Sequence, residues 1–171
     1  VPDIVFSPDG TQIVTAGNNG RVQFYDVATG EEELQLEHNE AVQTLAFSPD
    51  GRSLATGSAD NTARLWNASS GELEATLFHN NPVTSLVFTP DGRFLLTGSQ
   101  DGNLRYWELA TMSELGRIHQ GDAIKAMDIT PDGRFIVTSN NILATLWGFD
   151  SVRLWRPDAL AEVACSRLTR N

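Results

Sequence analysis

The chain has 171 residues, with 12 Lys or Arg against 22 Asp or Glu and a formal charge of −10. Lys125 is its only lysine, so the clustered basic surface that nucleic acid or an anionic membrane requires is excluded. A 40% apolar content with 14 glycines fits a globular domain and neither a disordered tail nor a fibre.

Taken in chain order, the residues repeat. The tetrapeptides Ser7-Pro8-Asp9-Gly10, Ser48-Pro49-Asp50-Gly51, Thr89-Pro90-Asp91-Gly92 and Thr130-Pro131-Asp132-Gly133 recur at a constant step of 41. An aromatic follows each of the first three prolines at an offset of 17: Tyr25, Trp66 and Trp107. The units run over about 1–40, 41–81, 82–122 and 123–157, with a tail at 158–171. In the fourth unit the aromatic counterpart is expected to be Trp155, seven places late, after an insertion at 140–150.

Each unit predicts four short strands. In unit two, residues 41–47 are mostly apolar and Pro-Asp-Gly suits a type I turn closed by a left-handed glycine. Residues 53–57 resume a strand, Ala59-Asp60-Asn61 turns, residues 62–66 form a third strand, and Leu73, Ala75 and Leu77 alternate inward with Glu72, Glu74 and Thr76 outward. The more uniformly apolar first strand is expected to be covered on both faces and the alternating fourth to lie half exposed. Such a sheet cannot bury both faces alone, so neighbouring sheets must stack as the blades of a propeller.

The insertion puts Ile142, Leu143, Leu146, Trp147 and Phe149 where other units have a tight polar turn. These residues form either a contact surface or an extended hairpin packed back on its own blade. In the tail, Asp158 suits a helix cap, and Leu160, Val163, Ala164 and Leu168 are spaced for one helical face. No apolar run approaches the ~18 residues of a membrane helix, and no signal-peptide layout is present. The lone Cys165 excludes an internal disulfide and any multi-cysteine metal site, and the expected compartment is the cytoplasm. With Val1 where an initiator Met would stand, the sequence reads as a piece of a longer product.

The recurring Ser-Pro-Asp-Gly, the Gly-Ser-Ala-Asp-Asn-Thr-Ala-Arg-Leu-Trp run at 57–66, its sister at 98–107 and a histidine before each new unit resemble WD40 repeats over nearly the whole chain. The resemblance implies an all-β propeller of about four four-stranded antiparallel blades, with a short C-terminal helix added by the tail. Family rings usually hold about seven blades, so the four belong to a larger ring, and missing blades or a second copy would cover the open edges. The resemblance also implies a buried hydrogen-bond chain in each blade. Its members here are His38, Thr56 (or Ser58), Asp60 and Trp66 in unit two, and His79, Thr97 (or Ser99), Asp101 and Trp107 in unit three. Unit one degrades to Asn19 and Tyr25; unit four offers His119 one place early, Gln120 in register and Asp150 as the nearest aspartate. Residues 164–171 are similar to the segment that ends WD-repeat arrays in bacterial multidomain signalling proteins.

Because the His, Thr and Asp set recurs with the repeat, it reads as structure and not as a catalytic triad, which is normally single. The repeated Asp50, Asp91 and Asp132 read as turn residues and not as calcium ligands. No cofactor is called for. The expected function is a non-catalytic protein-interaction or ligand-sensing scaffold that docks a protein or peptide on its loop face. Candidate contacts are Asn39, Glu40, Asn80, Asn81, Gln120 and Asp122 between units, Gln43, Thr84 and Lys125 early in the innermost strands, and Trp147 and Phe149 in the insertion. The alternatives are a propeller enzyme, in which Glu40, Asp122 and Lys125 would converge at the channel, and a purely architectural ring segment.

Overall fold

A computed structural model describes residues 3–148. Fifteen strands form four antiparallel sheets, each a meander whose strands lie side by side in chain order. The first sheet comprises β1 (Ile4–Phe6), β2 (Gln12–Ala16), β3 (Arg21–Asp26) and β4 (Glu32–Glu37). The second comprises β5 (Val42–Phe47), β6 (Ser53–Ser58), β7 (Thr62–Asn67) and β8 (Leu73–Phe78). The third comprises β9 (Val83–Phe88), β10 (Phe94–Ser99), β11 (Asn103–Glu108) and β12 (Ser113–His119). The fourth has three strands among the described residues: β13 (Ala126–Ile129), β14 (Phe135–Ser139) and β15 (Ala144–Gly148). The helix expected at 158–171 lies outside the described residues.

Turn chemistry fixes the meander. In each Pro-Asp-Gly turn the glycine N–H returns to the Ser or Thr carbonyl three residues back, as in Gly51 N to Ser48 O at 2.9 Å, with Gly51 at φ 72°. The Asp50 carboxylate accepts the Ser48 hydroxyl at 2.7 Å and the Arg52 N–H at 3.1 Å. Asp9, Asp91 and Asp132 accept the same pair of donors in their own turns. The hydroxyl bonds from Ser7, Ser48 and Thr130 hold the carboxyls of Asp9, Asp50 and Asp132 below the usual carboxylate range. Each carboxylate is thus engaged in closing its own turn.

The sheets stack through three apolar layers. Val14, Val22, Phe24 and Leu36 of the first meet Val42, Leu45, Leu54 and Trp66 of the second. Ala55, Ala63, Leu65 and Leu77 meet Val83, Leu86, Leu95 and Trp107. Phe94, Leu96, Leu104 and Tyr106 meet Ile124 and Ile136, with Trp147 at the margin. In the middle sheets, inner strands covered by neighbours have little exposure, and β10 is buried throughout. The expected alternation in β8 holds only in part: Leu77 is buried, but Leu73 is exposed, as is Phe78 at the strand end, where nothing among the described residues packs over the outer strand. Gly57 and Gly98 sit where the next sheet comes closest; a Cβ on Gly98 would lie 2.6 Å from Ile124 Cγ2.

The fourth sheet corrects the expected insertion. β15 begins at Ala144 after a short turn, and Trp147 pairs with Ile136 as Trp66 pairs with Leu54 and Trp107 with Leu95. Trp147 therefore occupies the tryptophan position of this sheet, and Trp155 lies outside the described residues. The reason is hydrogen bonding: Asn140 Oδ1 accepts the Ile142 and Leu143 amides, closing a turn tighter than the aspartate turns of the second and third sheets.

Candidate functional site

In the second sheet the polar chain is continuous. Thr56 Oγ1 accepts the Trp66 indole N–H at 2.9 Å and lies 2.6 Å from His38 Nε2, while His38 Nδ1 is 3.0 Å from Asp60 Oδ2. A carboxylate can only accept, so His38 Nδ1 carries the proton and Nε2 accepts from Thr56. Burial pushes the His38 pKa down, the Asp60 contact opposing it only in part. Burial would raise the Asp60 pKa, but bonds from Thr62, His38 and the Asn39 N–H outweigh it and hold the carboxyl below its usual range. Ser58, the alternative hydroxyl, is used elsewhere: it donates to the Glu40 and Ala41 carbonyls and accepts the Asp60 amide.

The third sheet keeps half of that chain. Trp107 donates to Thr97 at 2.9 Å and Thr97 meets His79 Nε2 at 3.1 Å, but His79 Nδ1 has no hydrogen-bond partner among the described residues. The expected His79–Asp101 link is therefore corrected. Asn103 replaces the hydroxyl that Thr62 supplies, and Asp101 turns to the Asn103 amide at 2.9 Å and to Arg105 Nη2 at 3.3 Å. Burial, aided by the nearby Arg105 charge, lowers the His79 pKa to about 3. Ser99, like Ser58, bonds backbone, donating to Asn81 O.

The fourth sheet substitutes an amide for the imidazole: Thr138 donates to Gln120 Oε1 and accepts Trp147 Nε1. His119 stands outside this chain, exposed, with Nδ1 3.2 Å from Asn103 Oδ1. In the first sheet Asn19 accepts the Arg21 amide and Tyr25 fills the tryptophan position.

Two residues that the sequence reading did not single out complete these sites. Arg64 donates to Glu37 O at 2.9 Å and reaches Asp60; Arg105 donates to Phe78 O at 3.1 Å and pairs with Asp101 and Glu114 at 3.3 Å each. Each arginine ties a blade to the last strand of the blade before it. Their place in the Arg-Leu-Trp and Arg-Tyr-Trp triplets, at the same position of units two and three, was the available signal.

The loop-face candidates divide. Asn39, Glu40, Asn80, Asn81, Asp122 and Lys125 are exposed, and Gln43 is half-buried. Thr84 is not free: its hydroxyl donates to Ile124 O at 2.5 Å, bridging the third and fourth sheets. Gln120 and Trp147 are engaged in the internal chain just described, and Phe149 lies outside the described residues. Asp122 accepts the Asn140 amide at 3.3 Å, and among the described residues no ion pair joins Glu40 or Asp122 to Lys125.

Antiparallel meanders stacked face to face, three of the four with an indole bonded to a buried threonine hydroxyl, define a β-propeller of repeated blades. The family model described as WD domain, G-beta repeat, matches residues 1–26, 30–67 and 71–108, and the chain belongs to the WD40-repeat family. A solved structure described as that of U3-55K shares the fold, with a TM-score of 0.80 and 23% identity over 87% of this chain. The match spans 49% of that chain, so the sequence here covers about half its length. No curated protein sequence matches. Domains of this family are generally non-catalytic protein-interaction scaffolds.

Proposed function

We propose that this chain is a non-catalytic platform that binds a protein or peptide on the face where the loops between blades emerge. The observation that carries the reading is a separation of polar groups. The repeated His, Thr, Asp and Trp side chains are spent inside the blades, whereas Asn39, Glu40, Asn80, Asn81, Asp122 and Lys125 are exposed, and of these the equivalent positions Glu40, Asn81 and Asp122 differ from blade to blade while Asn39 and Asn80 match. A surface that varies on a repeating frame is suited to recognising one sequence. The similarity of residues 164–171 to the ends of bacterial WD-repeat arrays supports a place within a longer cytoplasmic signalling chain.

Photo-crosslinking tests the platform. A crosslinker at Asn39 or Asn80 should capture a discrete protein partner, and one at Ser70, at the opposite end of the blades, should not. The Glu40→Arg/Asp122→Arg variant should then bind that partner at least about tenfold more weakly, the loss of more than 1.4 kcal/mol, with an unchanged melt. Equal capture at both ends, or unchanged affinity in the variant, would count against the loop face.

A further inference from the structure

The connections between consecutive blades repeat as three stations: Asn39-Glu40, Asn80-Asn81 and Gly121-Asp122. Each is fastened to the frame in the same way. The residue before it donates its amide to the blade just left, His38 N to Gly20 O at 2.8 Å, His79 N to Asn61 O at 2.9 Å and Gln120 N to Gly102 O at 2.8 Å. A serine of the next blade then fixes the first two from the other side, Ser58 donating to Glu40 O at 3.2 Å and Ser99 to Asn81 O at 3.0 Å. All three stations lie between described blades, so their exposure does not depend on where the sequence begins or ends.

Within a station the two positions behave differently. The first is asparagine twice, Asn39 and Asn80, whereas the second is Glu40, Asn81 and Asp122, different each time. Other polar side chains that recur in these blades are spent on the fold: His38 and His79, Thr56 and Thr97, and Ser58 and Ser99 are all hydrogen-bonded. Asn39 and Asn80 are exposed, and among the described residues neither side-chain amide has a hydrogen-bond partner. The fold gives their recurrence no use. An asparagine side chain carries a carbonyl and an amino group, the same acceptor and donor as a peptide unit. A constant reader of this kind matches the constant part of a polypeptide, its main chain, and a changing position matches side chains. Among the described residues the Glu40 carboxylate is unpartnered, and Asp122 has only the Asn140 amide at 3.3 Å. The nearby arginines are occupied, Arg64 on Glu37 O and Arg105 on Phe78 O.

We propose that the occupant of the loop face is an extended protein segment whose main-chain amides bond to Asn39 and Asn80 and whose Lys or Arg side chains meet Glu40 and Asp122. The inference rests on the loop-face reading above and adds the chemistry of the partner. Charge points the same way, because a chain of net charge −10 attracts a basic segment and repels an acidic one. Stations already pinned to the blades need no reordering when the segment arrives, which lowers the cost of binding. At the third station Gly121, with φ 98° and open space where a Cβ would stand, supplies no side-chain amide. Main-chain recognition is thereby confined to the first two stations, and Asp122 reads a side chain alone.

Selection of short random peptides, displayed on yeast, against the 171-residue chain tests it. Enriched peptides should carry more than one Lys or Arg and few Asp or Glu. Asn39→Ala/Asn80→Ala should weaken them at least about tenfold whatever their sequence. Methylating the backbone nitrogens of a selected peptide should cost it as much. Glu40→Gln/Asp122→Asn should weaken the same peptides and flatten their loss of affinity with added salt. The four positions are exposed, and a thermal melt checks that each variant is folded. An empty selection, peptides without basic residues, or affinities indifferent to the asparagine pair would overturn the proposal. If crosslinkers at Asn39 or Asn80 still capture a protein in that event, the loop-face platform stands without this chemistry; if they capture nothing, both readings fall.

Discussion

At Thr56 one hydroxyl serves two neighbours, accepting the Trp66 indole and meeting His38 Nε2, and removing either partner strands a buried polar atom. Trp66→Phe should destabilise the chain by about 1–2 kcal/mol in a denaturant melt. His79 adds a pH dependence. Its folded pKa, about 3, lies below the ordinary 6.5, so the unfolded state takes up the proton first. The contribution of neutral His79 is complete above pH 6.5 and is lost progressively as pH falls toward 3. His79→Gln, copying the Gln120–Thr138 arrangement, should flatten the stability profile between about pH 4.5 and 6 by up to about 1.4 kcal/mol per pH unit. Equal slopes in wild type and variant would show that His79 is not held neutral.

The residue-scale chain was legible in the sequence where a repeat preserved all its members, as at His38, Thr56, Asp60 and Trp66. It was not legible where a neighbour redirected one. Nothing in the spacing of His79 and Asp101 shows that the Asp101 carboxylate, while accepting the Asn103 amide and Arg105, leaves His79 Nδ1 without a bond. Gln120 was in register, but its pairing with Thr138 and Trp147 depended on knowing that the fourth turn is short.

Among elements, turn geometry shows how closely each unit copies the last. The turn between the third and fourth strands has Gly30 and Gly71 at φ 72°, and the same position in the third sheet is Met112 at φ 51°. A side chain in that region is disfavoured by roughly 1–2 kcal/mol, offset by the greater entropy that glycine loses on folding. Met112→Gly should therefore raise stability by about 0.5–1 kcal/mol, read as a shifted denaturant midpoint at constant m-value. The opposite sign is expected at Gly98, where Ile124 would have to retreat from a new Cβ. Gly98→Ala should cost about 1–3 kcal/mol. The strands and Pro-Asp-Gly turns were readable because each carries a local signal of period 2 or a fixed turn chemistry. The place of β15 was not readable because an insertion would set the aromatic late, at Trp155, whereas a turn one residue shorter sets it one place early, at Trp147.

For the whole molecule, stability is divided among layers that touch only their neighbours. Phe24, fully buried between the first two sheets, should cost about 3–5 kcal/mol when replaced by alanine. Hydrogen exchange should quicken in β2, β3 and β5 while β10 and β11 keep most of their protection; uniform loss across all four sheets would mean that the array unfolds as one unit. The propeller class was readable from the period because stacking is forced on any sheet that cannot cover itself. Which group in the sequence ties one blade to the next was not, since Arg64 and Arg105 look like ordinary surface charges until their carbonyl partners are placed.

Those arginines bear on how the chain tolerates being cut. Each grips the trailing end of the blade before it, and His38 N–H to Gly20 O and Val42 N–H to Gly17 O bind the same crossing from the other side. The peptide link between adjacent blades is thus redundant as a tether once folding is complete. A protease that severs the exposed Asn39–Glu40 bond would leave two fragments that still travel together, and new termini could be opened there without dismantling the stack.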